Sequence, residues 1–245
     1  MTRSLAGQTI LVAGASSGMG RAVAVAAAGQ GARLVLLARN AAELSRTALA
    51  CEAAGGRDLA AITIAADATD AAALERAVAP HAAAIASANV LVNAVGTNIV
   101  DRAFDQLTPQ SWSGMLDANL TAAFNLTRLV LLAMRQRANG LIIHIASTAA
   151  RKPDRSGAAY QAAKAGVVAL THAVREEEWQ HGIRATAILP GMTDTPLLDR
   201  RPIPVGAEAR AAALKPEDVA AACLFVIGLP ARAHVTELLL QPSRR

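Results

Sequence analysis

Tyr160 and Lys164 are four positions apart in the run Tyr160-Gln161-Ala162-Ala163-Lys164, so on a helix both side chains project from one face. A phenol with an ordinary pKa of about 10 is a poor acid or base at neutral pH, and an ammonium held within a few Å stabilises the phenolate. Tyr160 is then equipped to give a proton to a carbonyl oxygen or to take one from an alcohol. Ser147 precedes Tyr160 by 13 residues and ends the apolar run Ile142-Ile143-His144-Ile145-Ala146. Its hydroxyl is placed to meet negative charge developing on a substrate oxygen. Asn119, in a helical stretch where a polar amide is a poor helix former, is the fourth candidate.

A second group of residues has the chemistry of a dinucleotide site. The turn Gly14-Ala15-Ser16-Ser17-Gly18-Met19-Gly20 follows one strand-like run and opens a helix-like one. Glycine there lets the backbone approach a pyrophosphate, whose charge rests on the helix N-terminus. The second run ends Leu36-Leu37-Ala38-Arg39-Asn40, where NAD-selective folds carry an acid for the ribose hydroxyls. Arg39 stands there instead, and a guanidinium matches a 2′-phosphate, so NADP(H) is the preferred cofactor and NAD(H) the alternative. Asp67, followed by Ala68, can accept from an adenine amino group, and Asn93-Ala94-Val95-Gly96 offers small residues and amides.

These residues need a scaffold that collects strand ends. Seven short apolar runs read as strands: Thr9 to Ala13, Arg33 to Ala38, Ala60 to Ala65, Val90 to Asn93, Leu141 to Ala146, Ala185 to Leu189 and Val235 to Leu240. Between them lie helical segments, Gly18 to Gln30, Ala41 to Ala54, Ala71 to Ala86, Pro109 to Arg137, Ser156 to His181 and Pro216 to Ile227. Such alternation predicts an α/β fold, a doubly wound, mainly parallel sheet of seven strands flanked by helices on both faces. No linker or repeat divides the chain, so one domain is expected over 1–245. The stretch Met192 to Leu214, with Pro196, Pro202, Pro204 and Gly206, breaks the rhythm and is expected to be a lid over the substrate.

Taken together, these motifs resemble the short-chain dehydrogenase/reductase family over essentially the whole length. The resemblance implies a Rossmann-like fold and an NADP(H)-dependent carbonyl/alcohol oxidoreductase. It places the cofactor glycines at Gly14, Gly18 and Gly20, the adenine contact at Asp67 and a catalytic tetrad at Asn119, Ser147, Tyr160 and Lys164. It also implies that Lys164 grips the nicotinamide ribose, that Asn119 holds a water in a proton relay, and that Pro190-Gly191 with Thr193 and Thr195 meets the carboxamide. A homotetramer or homodimer acting on a small carbonyl or alcohol follows from the same likeness, while a reducing cytoplasm is expected because Cys51 and Cys223 match no disulfide or zinc framework. The sequence departs from the family in three places: Ala13 where Thr is usual, Ala94 where a second Asn is common, and a C-terminal run, Val235 to Pro242, without glycine. The first two remove polar contacts near the cofactor, and the third bears on the last strand and on subunit contacts.

Bulk properties weigh on the competing classes. A 53% hydrophobic composition supplies an ample core, whereas 2% aromatics leaves few stacking platforms for single-stranded nucleic acid. The net charge of +5 is scattered, dense only at Arg151-Lys152 with Arg155, at Arg200-Arg201 and at Arg244-Arg245, so neither a nucleic-acid nor a membrane partner is expected. Met1 to Leu5 passes into the first strand-like run without the apolar core of a signal peptide, and no apolar run nears the ~20 residues of a membrane span. Cys51 and Cys223 match no disulfide or zinc pattern, and the five histidines have no metal-ligand spacing. His144 reads as a strand residue, and Trp112 and Trp179 as packed on helices. A non-catalytic NADP(H)-sensing regulator or scaffold would have no need of the four polar residues together. Substrate identity stays open: Arg151, Lys152, Arg155, Arg200, Arg201 and Arg210 fit an anionic substrate and solvated loops equally well.

Overall fold

The computed structural model describes residues 4–55 and 60–243; Met1 to Arg3 of the N-terminal run and the Arg244-Arg245 pair lie outside the described residues. Strands β1 (Thr9–Ala13), β2 (Arg33–Ala38), β3 (Ile62–Ala65), β4 (Val90–Asn93), β5 (Gly140–Ile145), β6 (Ile183–Pro190) and β7 (Glu237–Leu240) form one sheet in the order β3-β2-β1-β4-β5-β6-β7. Every pairing between them is parallel. The order reverses between β1 and β4, so a crevice opens beyond their carboxyl ends, where Ala13 is in register with Asn93.

Side-chain alternation sorts the strand residues into two cores. Ile10, Val12, Leu34 and Leu36 pack on one face with Val23 and Ala24 of α1 (Gly18–Ala28), Leu44 of α2 (Ala41–Gly55) and Cys223 of the last helix, while Leu11, Val35 and Leu37 face the other way. That second face is covered by Leu74 of α3 (Ala71–Val78), Ile85 of α4 (Ala82–Ser87), and Leu126, Val130 and Met134 of α6 (Ala122–Gln136), which follows α5 (Pro109–Leu116). The remaining helices are α7 (Ala158–Glu178), α8 (Ala207–Ala212) and α9 (Pro216–Ile227). No helix of the described residues is long and apolar enough to cross a membrane.

Two stretches read as single helices are interrupted. Pro80 has no N–H and its ring crowds the carbonyl a turn earlier, so 71–86 becomes α3, a 3-10 turn at Ala79–His81, and α4. The stretch 109–137 is broken by a π-helical turn, Asp117–Thr121, with Asn119 at its centre. The reading of Trp179 as packed is also corrected: it is 63% exposed just past the end of α7. Residues 192–214 form a closed excursion. Leu214 donates to the Met192 carbonyl at 3.0 Å and Asp194 donates to the Leu214 carbonyl at 2.8 Å, so both ends are pinned together at the sheet edge.

Candidate active site

A cleft of about 310 Å³ opens over the carboxyl ends of β1, β2, β3 and β4. Gly14, Ser16, Ser17, Gly18, Met19, Gly20, Arg39, Asp67, Ala68, Ala94, Gly96 and Thr195 all line it. Gly14 holds φ +78°, and a β-carbon there would meet the Ala94 carbonyl carbon at 2.7 Å, so only glycine allows this turn to lie against β4. Ser17 starts α1 with no side-chain cap, which leaves the first-turn amides for a ligand. The turn is braced from below: Thr47 Oγ1 donates to the Ala15 carbonyl at 3.0 Å, and Arg21 donates to the Ser16 carbonyl while pairing with Glu43 at 2.6 Å. These braces carry no motif of their own and sequence reasoning missed them.

Arg39 is exposed at the rim and faces Asp67 at 3.8 Å. Burial alone would raise the Asp67 carboxyl, but the amide and hydroxyl of Thr69 and the Arg39 guanidinium outweigh it and hold it below the usual range. Asn125 Nδ2 donates to the Ala68 carbonyl at 2.9 Å, fixing the backbone after β3. Asn93, by contrast, does not reach the cleft. Its Oδ1 accepts from the Val95 amide at 2.9 Å and its Nδ2 meets His144 Nδ1 at 3.1 Å inside the core, so it shapes the turn. His144, fully buried and also bonded to Thr127, is driven down to about 4 by burial, with Lys164 adding to the effect; it is neutral, as a strand residue should be.

Ser147 and Tyr160 line a second, smaller pocket of about 100 Å³, together with Pro190, Gly191, Thr193 and Thr195. Met19 and Thr195 line both pockets, so the two are contiguous. Asn119 and Lys164 approach from behind: a β-carbon on Gly96, which lines the cleft, would lie 2.9 Å from both Asn119 Oδ1 and Lys164 Nζ. The π turn is what aims Asn119. Its Nδ2 donates to the carbonyls of Met115 at 2.9 Å and Thr97 at 3.1 Å, and its Oδ1 accepts from the Thr97 amide at 3.2 Å.

Lys164 corrects a detail of the sequence reading. Its ammonium lies 5.9 Å from the centroid of the Tyr160 ring and donates to the Ile145 carbonyl at 3.0 Å. The phenol stands above its ordinary value because burial raises it; the Ser147 hydroxyl, Arg102 and Arg201 oppose that rise, and Asp154 adds to it. Burial pushes Lys164 down to about 8. The charges that act on the phenol are those of Asp154, Arg102 and Arg201, of which the sequence reading notes only Arg201.

The basic residues noted in the sequence separate on the structure. Arg151 pairs with Glu237, and Arg210 pairs with Asp199 and, at 3.1 Å, with Asp194. Arg200 donates to Thr97 Oγ1 at 2.7 Å and lines the larger cleft. Lys152 and Arg155 are exposed. Arg201 alone of that group lines the smaller pocket, where it is joined by Arg102.

Comparison with known proteins bears on the family and the fold. Residues 8–203 match the family described as short chain dehydrogenase. D-beta-hydroxybutyrate dehydrogenase of Cupriavidus necator is 34% identical over 197 residues, covering 80% of this chain and 75% of that protein. The crystal structure of 3-ketoacyl-(acyl-carrier-protein) reductase from Brucella melitensis, complexed with NADH, superposes with a TM-score of 0.87 at 27% identity, covering 98% of this chain and 99% of that one. A metagenomic short-chain oxidoreductase in complex with NADP gives a TM-score of 0.83 at 30% identity, over 98% and 99% of the two chains.

Proposed function

Because this chain belongs to the short-chain dehydrogenase/reductase family, we propose that it interconverts a carbonyl compound and an alcohol with NADP(H), Tyr160 serving as general acid and base. The observation that carries the reading is the meeting of two pairs: Ser147 and Tyr160 on the pocket wall, and Asn119 and Lys164 behind Gly96 at the adjoining cleft. The cleft suits a dinucleotide in its uncapped helix start, its glycine cradle and the Arg39–Asp67 rim. Arg39 supports NADP(H), since its exposed guanidinium, which faces Asp67 at 3.8 Å, matches a 2′-phosphate in a bidentate grip.

Bound there, the nicotinamide supplies the hydride that is gained or lost. Tyr160 O–H donates its proton to the substrate oxygen as negative charge grows on it, and takes a proton back in oxidation. Ser147 donates a hydrogen bond to the same oxygen. Lys164, anchored on Ile145, keeps a positive charge over the ring and stabilises the phenolate once the proton has left. Asn119 fixes the Thr97 backbone and with it the cleft floor. The test is an absorbance assay of NADPH consumption over a panel of aldehydes and ketones: Tyr160→Phe is expected to bind NADPH and lose turnover by about 10²- to 10⁴-fold, and full activity in that variant would refute the assignment.

A further inference from the structure

We infer that Arg102 and Arg201 form an anion-recognition subsite beside Ser147 and Tyr160, and that the substrate is a small oxo acid or hydroxy acid held by its carboxylate. The inference deepens the proposed reaction and rests on it for the reacting end of the substrate. Arg102 leaves the loop after β4 and is only 8% exposed. One of its terminal nitrogens donates to the Arg200 carbonyl, yet its Nε is buried with no hydrogen-bond partner among the described residues. That nitrogen is sealed from solvent; the other terminal nitrogen has no hydrogen bond among the described residues and is not among the sealed atoms, so it and the guanidinium charge are what the pocket wall offers a ligand.

The charge around it is equally unbalanced. Among the described residues neither Arg102 nor Arg201 has a carboxylate at ion-pair distance. Asp154 shares the pocket, but its Oδ1 accepts from the Ser156 amide at 2.8 Å and from the Ser156 hydroxyl. Elsewhere in the 192–214 segment and just after it, Arg210 and Lys215 are matched by Asp194 and Asp199. The two arginines also repel each other: burial and Arg201 weaken the hold of Arg102 on its proton, and the nearby Asp154 and Tyr160 offset this only in part. A planar carboxylate placed between two guanidiniums supplies the missing counter-charge and relieves their repulsion, and the pocket is small enough for a short-chain acid.

The local backbone is shaped around this arrangement. Gly157, at φ +91°, immediately precedes α7, and a β-carbon there would lie 2.7 Å from the Arg102 carbonyl oxygen and 2.8 Å from its Cβ. The start of the helix that carries Tyr160 is therefore moulded on Arg102. Asn98 Nδ2 donates to the Ser156 carbonyl at 2.9 Å and ties the same loop to the same helix start.

Two measurements test the subsite. In the first, three short oxo acids (2-oxobutanoate, 3-oxobutanoate and 4-oxopentanoate), their methyl esters and dihydroxyacetone phosphate are compared by kcat/KM in the wild type, Arg201→Gln and Arg102→Gln. At least one acid is expected to exceed its ester by ~10-fold or more, the ratio falling ~10- to 100-fold in the variants, mainly through weaker substrate binding. The second is calorimetric binding of butanoate and butanamide to the NADP⁺-loaded protein, which needs no turnover. Butanoate is expected to bind more tightly than the amide, and each substitution to erase the difference. If no carbonyl compound is reduced, the proposed reaction fails while butanoate binding still decides the subsite. Acid-to-ester ratios near one among active substrates, equal binding of butanoate and butanamide, or binding unmoved by either substitution would overturn the inference. A preference for the phosphorylated ketone over every oxo acid would overturn the carboxylate assignment.

Discussion

Lys164 donates from Nζ to the Ile145 carbonyl at 3.0 Å, a bond that ties the second turn of α7 to the last residue of β5. The ammonium is thereby held inside the protein, 4% exposed, with the Tyr160 ring 5.9 Å away. Burial brings it to about 8, so its charge is present at neutral pH and is withdrawn by modest alkalinity.

Carbonyl reduction should therefore hold steady up to about pH 8 and decline above it, as Lys164 loses its proton. The Tyr160 phenol, raised by burial, stays protonated over that range, so the decline belongs to the lysine. The measurement is kcat/KM against pH at saturating NADPH, where activity still level at pH 10 would contradict it. Lys164→Met is expected to lower turnover by about 10²- to 10⁴-fold at pH 7.

Arg39 meets the cleft from an exposed rim and, among the described residues, forms its one ion pair with Asp67, at 3.8 Å. Replacing it with Ala should weaken NADPH binding by about 10-fold or more while changing NADH affinity less than about threefold, because only the former offers a 2′-phosphate. Fluorescence titration of both dinucleotides with the two proteins checks this, and equal losses for both would point to a role in folding the rim.

Asn119→Ala should cost both stability and activity. The side chain satisfies the Met115 carbonyl and the backbone N–H and C=O of Thr97 from a buried position, and losing them leaves polar backbone unmatched, at about 1–3 kcal/mol. Chemical unfolding together with NADPH turnover is the check; an unchanged midpoint would show that the π turn does not depend on this amide.

His144 carries an acid liability. Its folded value of about 4 lies below the unfolded reference of about 6.5, so between those values the unfolded chain binds the extra proton. The stability this group contributes is full above the unfolded value and is lost as pH falls from 6.5 toward 4. Thermal unfolding across that window is expected to fall more steeply for the wild type than for His144→Gln, which has no proton to gain. Parallel curves would contradict it.

The legibility of this protein in its sequence follows the range of the forces involved. Strand and helix runs are set by local periodicity, so all seven strands stand within a few residues of their expected places, and Tyr160 and Lys164 share a helix. Pro80 and the π turn at Asn119 were signalled only by residue types that tolerate helix poorly, which flags a break without locating it.

The order of residues is enough for whatever one backbone turn must satisfy: glycines where the cofactor turn admits no β-carbon, four-residue spacing on a helix, and a basic residue just past the second strand. Tertiary structure alone decided where the polar ends point. Asn93 turns inward because His144, 51 positions along the chain, offers a buried ring nitrogen; Lys164 sits over the phenol ring because the Ile145 carbonyl needs a donor. Arg102 and Arg201 line one pocket because parallel strands deliver distant loops to a single sheet edge. Contacts of that kind depend on through-space charge and on which carbonyls are left unpaired, quantities that exist only once the chain has folded.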